Sequence, residues 1–256
     1  MPLAAGRLRR IGAFLPTLYF YPMMVAWIVV GAVFSPLAIA VVKIASGWEM
    51  ERAARYLIKV HGRGVMWILS PFVRFKAENL KSVPLPCIMV INHLSFFDGY
   101  YMASMPFFDL TFAVGAWPFR MFWYTAMMRL ARYLDVESIP WPQAVAACRR
   151  ASSRGGAILF FPEGHRSRTG ELQKFYSGAF RMAIETGLPL VPLCITGTQV
   201  LLPPGRHWLS PARVRLRALP PIDPADFQGP AGPARLSNLV REKMAANMES
   251  MQTDSP

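Results

Sequence analysis

The sequence predicts an α/β fold: a mostly parallel central sheet flanked by helices, preceded by an apolar N-terminal helical hairpin. Two observations predict it. After residue 56, short apolar runs bounded by Pro, Gly or Asn alternate with helical stretches, as in buried parallel strands joined by helices. Before that, residues 11–45 carry one charge, Lys43. We therefore divide the chain into an N-terminal segment, residues 1–55, and an α/β domain, residues 56–256.

The N-terminal segment has the composition of a membrane element. Its apolar run exceeds the roughly 20 residues that one span needs, it is too long for the core of a signal peptide, and Pro16, Pro22 and Pro36 interrupt it. Basic residues flank both ends, which favours the cytoplasmic side for both: Arg7, Arg9, Arg10, Lys43, Arg52, Arg55 and Lys59. We expect a proline-broken hairpin that enters one leaflet. One tilted span and a buried pair of core helices are the alternatives.

The elements of the α/β domain follow from local patterns. Strands are predicted at residues 87–91 (CIMVI), 157–161 (AILFF), 190–195 (LVPLCI) and 213–219 (RVRLRAL). The last of these alternates Arg with apolar residues, so we expect one wet, basic face. Helices are predicted at residues 143–154, 178–186 and 234–251, and the first two end at glycines that suit a left-handed C-cap.

The overall composition narrows the class of partner. The chain is 53% hydrophobic and has a formal net charge of +13. Such a charge favours nucleic acid, an acidic membrane surface or a phosphorylated substrate. No helix-turn-helix, zinc-finger or RNP motif is present. An anionic membrane surface explains both the charge and the apolar N-terminus, so we expect no nucleic acid partner.

The three cysteines, Cys87, Cys148 and Cys194, are far apart and odd in number. They form no disulfide framework, which is typical of a reducing compartment. Because each lies in an apolar run, we interpret them as small core residues.

Polar residues follow two predicted strands at the point where each strand ends. Asn92 and His93 follow residues 87–91, and the loop 162–166 (PEGHR) follows residues 157–161. In open α/β sheets, ligands bind outside the carboxyl ends of the strands, so the two loops are predicted to share one cleft.

His93 and Asp98 are a candidate catalytic pair in that cleft. A carboxylate that accepts a hydrogen bond from one ring nitrogen fixes the tautomer and leaves the other nitrogen free to take a proton. Five residues do not share one helical face, so a turn or helix start must bring the two side chains together. A histidine satisfied within the core is the structural alternative.

The stretch FFPEGHRSRTG, residues 160–170, combines a carboxylate, a glycine and arginines whose planar forks suit a phosphate. A solvated turn is the alternative. GxSxG, P-loop and GxGxxG patterns are missing from the sequence. His93, Asp98, Glu163 and His165 are of metal-ligand types, but without an HExxH motif or a cysteine cluster we expect no metal site.

Three of these stretches, in this order, resemble the lysophosphatidate acyltransferase family of glycerolipid acyltransferases. NHLSFFD is similar to the family's N-H-x-x-x-x-D block, FPEGHRS to F-P-E-G-T-R-S, and VPLCITG to V-P-x-x-x-x-G. The resemblance covers roughly residues 88–197.

The resemblance implies transfer of a fatty acyl group from acyl-CoA or acyl-carrier protein to the free hydroxyl of a lysophospholipid, with lysophosphatidate favoured, in phospholipid biosynthesis. It implies a monotopic enzyme on the cytosolic face of the inner membrane, needing no metal or other cofactor. By position, His93 would be the general base and Asp98 its orienting partner. The acceptor site, with Arg166 on the phosphate, would comprise Glu163, Gly164, His165 and Arg166.

The sequence departs from the family pattern at several positions. His165 replaces the usual Thr, Tyr176 stands where the family commonly has Lys, and no arginine ends the stretch RYLDVESIPW, residues 132–141. An acceptor with another headgroup, zwitterionic or an amino-acid lipid, is therefore an alternative. A non-catalytic lipid- or nucleic-acid-binding protein is the alternative from another class.

Overall fold

The computed structural model describes residues 2–107, 109–120 and 122–253. Within them the strands are β1 Val73–Glu78, β2 Cys87–Ile91, β3 Leu110–Val114, β4 Leu134–Asp135, β5 Ala157–Phe160, β6 Leu190–Thr196 and β7 Ala212–Ala218. They form one sheet in the order β1-β7-β6-β2-β5-β3-β4. Neighbouring strands are parallel except β6 and β7, which are antiparallel. The predicted mostly parallel sheet is confirmed.

The helices are α1 Pro2–Ser46, α2 Met50–Leu69, α3 Phe97–Ser104, α4 Phe122–Leu130, α5 Trp141–Ser152, α6 Gly178–Thr186, α7 Thr198–Leu201 and α8 Gly232–Thr253. Short 3-10 turns lie at Leu80–Ser82, Trp117–Arg120 and Pro224–Phe227. The helices and strands predicted after residue 80 are found within two residues of their expected bounds. Not predicted from the sequence were β1, β3, β4, α2, α4 and α7, and α3 was expected only as a turn or helix start.

The sheet separates two hydrophobic cores. Residues of α1, α2 and α3 cover one face, and residues of α5, α6 and α8 cover the other. In β2, Met89 packs in the first core, whereas Ile88 and Val90 pack in the second. Successive side chains of a strand point to opposite faces, and here both faces are buried. This is why β2, β5 and β6 have uninterrupted apolar sequences.

The N-terminal apolar stretch is one continuous helix, so the predicted hairpin within residues 11–45 is wrong. Helix α1 continues through Pro16, Pro22 and Pro36. A turn in an apolar environment would expose several unpaired backbone groups, whereas a proline inside a helix removes only one hydrogen bond. The chain reverses later, at residues 47–49, and α2 packs back on α1.

One side of α1 is attached to the α/β domain along its length. The Phe20 ring meets Phe97 of α3 edge to face, with centroids 5.4 Å apart. Trp27 stacks on His61 of α2, and its indole Nε1–H donates to the His61 carbonyl at 3.1 Å. Further along, Ile39 packs in a small buried cluster with alanines of α2. The opposite side of α1 presents exposed apolar side chains.

The boundary drawn at residue 55 falls inside α2. Arg55 was expected to flank a membrane, but its side chain is only 5% exposed and forms an ion pair with Asp109, just before β3. The Arg55 guanidinium also donates to the Ala131 carbonyl at 2.9 Å. Arg55 therefore fastens α2 to the α/β domain instead of facing lipid headgroups.

Of the three arginines of β7, Arg213 is exposed, whereas Arg215 and Arg217 are half-buried. Arg215 and Arg217 each bind Glu78 of β1, at 3.1 and 2.7 Å. Hydrogen bonds from Lys76 and from these two arginines lower the pKa of the Glu78 carboxyl to about 2, against the opposing effect of burial. Glu78 thus offsets part of the positive charge on the face that was expected to be wet and basic.

The three cysteines are buried free thiols, as predicted. Burial raises the pKa of Cys87 and of Cys194 to about 12 and that of Cys148 to about 11. The thiols therefore remain protonated at neutral pH, which fits their interpretation as small core residues.

Candidate active site

The candidate site lies where three central strands end. In the sheet β2 has β5 on one side and β6 on the other, all parallel. In register, Val90 of β2 pairs with Phe160 of β5, so the segments that follow these residues leave the sheet side by side. The NHLSFFD and FPEGHRS loops, which were predicted to share one cleft, therefore lie at the same edge of the sheet.

His93 and Asp98 form a hydrogen-bonded pair at this edge. His93 Nδ1 lies 2.8 Å from Asp98 Oδ2. The same carboxylate oxygen accepts the backbone N–H groups of Leu94 at 2.6 Å and Ser95 at 2.7 Å. Asp98 is fully buried. A buried carboxylate held by two backbone donors has a fixed position, and it therefore fixes the plane of the imidazole as well.

The sequence reaches this geometry through a helix start. Helix α3 begins at Phe97, so Asp98 lies in its first turn, where a negative charge is stabilised by the helix dipole. The chain turns between His93 and α3, and Leu94 and Phe97 are buried beneath the turn. The turn thus brings together two residues that the helical period alone would hold apart.

The other ring nitrogen of His93 is available. The His93 side chain is 20% exposed, and its ring packs on Phe161 with centroids 4.2 Å apart. In the described part of the chain, Nε2 has no hydrogen-bond partner. With Nδ1–H donating to Asp98, Nε2 carries a lone pair that can accept a proton from a hydroxyl placed beside it.

The backbone of His93 is held at both ends by the FPEGHRS loop. Its N–H donates to Glu163 Oε1 at 2.7 Å. Its carbonyl accepts the N–H of Ser167, also at 2.7 Å. The loop after β5 therefore positions the histidine that follows β2. Ser167 lies within the recognised block, but this role was not predicted from the sequence.

Glu163 is buried and fully occupied by protein donors. Besides the His93 N–H, its carboxylate accepts the backbone N–H of Gln173 at 3.0 Å and the Gln173 side-chain amide at 3.2 Å. Burial raises the pKa of Glu163, and the hydrogen bonds from His93 and Gln173 oppose that effect. Glu163 was expected in the acceptor site; the structure places its carboxylate beneath the loop, bonded to His93. No motif in the sequence pointed to Gln173.

The remaining predicted residues lie on the surface of the same loop. Gly164 has φ +72°, and a Cβ there would approach the exposed ring of Tyr176 to 2.9 Å. His165 is exposed and Arg166 is half-buried. Within the residues that the structure describes, the Arg166 guanidinium makes no ion pair or hydrogen bond, and neither it nor the His165 ring is bonded to the His93–Asp98 pair.

Two further residues fix the edge of the sheet. The Asn92 side chain is fully buried and bonds both the N–H and the carbonyl of Ile195 in β6, at 2.8 and 2.9 Å. Gly197 ends the VPLCITG block with φ +89°, and a Cβ there would lie 1.9 Å from the Arg213 carbonyl oxygen. The first and last recognised blocks are thus connected through Asn92, and only glycine fits at residue 197.

Comparison with known proteins agrees with this geometry. A profile described as acyltransferase matches residues 74–196, which include both loops of the site. The chain thus resembles the acyltransferase family over this region. Similar proteins include the chloroplastic 1-acyl-sn-glycerol-3-phosphate acyltransferases BAT2 of Brassica napus, 33% identical over 52% of this chain, and LPAT1 of Arabidopsis thaliana, 30% identical over 70% of it. The resemblance to lysophosphatidate acyltransferases is confirmed.

The extent of the match differs between sequence and structure. The chain spans 39% of the length of the Brassica protein and 50% of the Arabidopsis protein. The fold matches the crystal structure of PlsC from Thermotoga maritima, a 1-acyl-sn-glycerophosphate acyltransferase, with a TM-score of 0.76. The match covers 97% of this chain and 99% of the PlsC chain, and the two sequences are 24% identical. The chain therefore has the PlsC fold over almost its whole length.

Proposed function

We propose that this protein transfers a fatty acyl group from a thioester donor to the free hydroxyl of a lysophospholipid. The observation that carries the proposal is the His93–Asp98 pair, 2.8 Å apart, with the second ring nitrogen unoccupied at the edge of the sheet. A hydroxyl is a poor nucleophile until a base takes its proton, and a positioned histidine is the commonest such base.

In the proposed reaction, His93 Nε2 accepts the proton of the acceptor hydroxyl as its oxygen attacks the thioester carbonyl. Asp98, fixed by the backbone of Leu94 and Ser95, stabilises the imidazolium that forms. The C–S bond then breaks, and the His93 imidazolium gives its proton to the leaving thiolate. An ester and a free thiol are released. The thioester is already activated, so we propose that no metal or redox cofactor takes part.

The acceptor we propose is lysophosphatidate, which would be converted to phosphatidate. The Arg166 guanidinium, beside the site and without a described protein partner, is suited to a phosphate. The names of the chloroplastic relatives support this acceptor. A lysolipid with another headgroup is the second candidate. The exposed residue that packs against Gly164 is Tyr176, and it supplies no second cation for a phosphate.

We further propose a monotopic enzyme on the cytosolic face of the inner membrane. Leu15–Ser46 is apolar and long enough to enter a bilayer, and only 6% of its most apolar stretch is buried in the protein. The net charge of +13 favours an anionic lipid surface. Acyl-CoA and acyl-carrier protein are both compatible with the proposed chemistry.

The test is acyl transfer by the purified protein, with one labelled acyl-CoA and a panel of lysolipids. We expect lysophosphatidate to be the best acceptor, and we expect His93→Ala and Asp98→Asn to lower kcat by about 10² to 10⁴. Asp226→Asn, on an exposed residue far from the site in sequence, is the matched control. Near-full activity of the His93 variant would refute the general-base role. Lipid binding without acyl transfer would favour a non-catalytic protein.

A further inference from the structure

A cavity of about 350 Å³ lies between α8 and the segment that connects the active-site loop to α6. Its lining is Lys174, Phe175, Ser177, Ala234, Ser237, Asn238 and Arg241. The α8 residues among these recur at the spacing of one helical face. The volume lies within the range of small-molecule sites in proteins.

The lining has the chemistry of an anion site. It contains two cations, Lys174 and Arg241, and among the described residues that line it there is no carboxylate. Arginine and lysine together with neutral hydrogen-bond donors are the groups that proteins use to bind phosphate. The Arg241 guanidinium also donates to the backbone carbonyls of Gln173, at 3.2 Å, and Leu172, at 3.4 Å, so its position is fixed.

Several of these polar groups are not used by the protein. Ser237 is more than nine-tenths buried, and no hydrogen-bond partner of its hydroxyl is found in the described part of the chain. The same holds for the Lys174 ammonium and the Asn238 side-chain amide over the described ranges. The Ser237 hydroxyl therefore has hydrogen-bonding capacity that a ligand in the cavity can use.

The cavity is connected to the candidate active site through Gln173 and Glu163, by three hydrogen bonds. Lys174 directly follows Gln173, whose backbone and side chain both donate to Glu163. Glu163 in turn accepts the N–H of His93. The cavity nevertheless belongs to the α6 and α8 side of the sheet, whereas α1 and α2 cover the opposite face. A ligand in this cavity thus approaches from the side away from the membrane helix.

We propose that this cavity binds the phosphates of a coenzyme A thioester, the acyl donor. The inference rests on the proposed acyl transfer and adds where the donor is held. A soluble donor with several phosphates matches a polar, basic cavity on the face opposite α1. A lipid headgroup would have to reach it from the far side of the sheet. The thioester end would extend past residues 173–174 toward His93.

The test is the equilibrium binding of free coenzyme A to the intact protein in detergent, measured by calorimetry. Lys174→Gln removes the exposed cation without touching the Glu163 network. We expect it to weaken coenzyme A binding roughly tenfold, as expected for a lost hydrogen bond to a charged group. The KM for acyl-CoA should rise by a similar factor, whereas the KM for the lysolipid should not change. Lys174→Arg should restore most of the affinity, and Ser237→Ala should weaken binding by a few fold.

Lys243→Gln is the matched control, because it removes an exposed cation from the same helix outside the cavity. Unchanged coenzyme A affinity in the Lys174→Gln variant would overturn the donor site while leaving the proposed acyl transfer intact. A rise in the KM for lysophosphatidate alone would assign the cavity to the lipid phosphate instead. Coenzyme A binding that depends on Lys174, without any acyl transfer, would support the cavity and contradict the proposed function.

Discussion

Three hydrogen bonds hold His93 in place, one from the start of α3 and two from the FPEGHRS loop. Asp98 bonds the ring, Glu163 the backbone N–H and Ser167 the backbone carbonyl. A general base must lie within hydrogen-bond reach of the proton that it removes, and a small displacement is costly in rate. At the residue scale, the FPEGHRS loop therefore contributes to the geometry of the base as well as to the proposed acceptor site.

The first prediction concerns Glu163. All three described hydrogen bonds to its carboxylate come from N–H donors: the backbone N–H groups of His93 and Gln173 and the Gln173 side-chain amide. In Glu163→Gln one of the two oxygens becomes an NH₂ group that faces a donor. A buried unsatisfied donor costs about 1–3 kcal/mol. We expect kcat to fall roughly tenfold to a hundredfold, with little change in the KM for the lysolipid.

Steady-state kinetics at varied acceptor concentration measure both constants. Glu171→Gln, on an exposed residue of the same loop, is the matched control and should behave like the wild type. A large rise in the acceptor KM with unchanged kcat would contradict positioning by Glu163 and restore the role in acceptor binding that the family resemblance implies.

At the scale of elements, the contact between α2 and the start of β3 depends on the buried Arg55–Asp109 ion pair. Both side chains are 5% exposed. Removing one partner of such a pair leaves an uncompensated buried charge, whereas replacing both by apolar residues is often tolerated. The sequence showed Arg55 only as one of several cations near an apolar segment.

The second prediction is that Asp109→Ala lowers the free energy of unfolding by about 3–5 kcal/mol. The double variant Arg55→Met/Asp109→Leu should recover most of that loss, because it removes the isolated charge. Urea unfolding in one detergent, followed by circular dichroism, measures both. Glu49→Ala, which breaks an exposed ion pair with Arg154, is the control and should cost under about 1 kcal/mol. Equal losses in the single and double variants would show that packing, not charge, is responsible.

At the scale of the whole molecule, the sheet separates the apolar helix α1 from the basic cavity beside α8. The exposed apolar side chains of α1 include Val33 and Leu37, each 65% exposed, one helical turn apart. Exposed apolar residues in such a continuous stretch mark an interaction surface. We therefore expect this side of α1 to contact lipid.

The third prediction is that Val33→Asp and Leu37→Asp, made singly and together, lower binding to anionic vesicles. A charged residue at the centre of an apolar helix costs about 2.5–3.5 kcal/mol on insertion. Vesicle flotation and alkaline extraction of cell membranes measure the effect. Val136→Asp, on a 44% exposed apolar residue of the α/β domain, is the control and should leave binding unchanged. If the double variant floats like the wild type, α1 is not the lipid contact.

The sequence by itself determined the strands of the central sheet, the α5, α6 and α8 helices and the two loops of the site. A strand that is buried on both faces has an uninterrupted apolar sequence, as residues 87–91 do, so such strands can be predicted from the sequence. The short β4 and the charged β1 were not predicted, since their positions depend on neighbouring strands and not on their own pattern.

Only the tertiary structure decided which side chains meet. Ser167 bonds His93 and Gln173 bonds Glu163 through backbone N–H groups, and a backbone donor has no sequence signature. The structure shows α1 continuing through three prolines, and the burial of Arg55 depends on Asp109 lying opposite. Local chemistry selected the candidate base and its acid, whereas the packing of one loop against another fixed where the base is held.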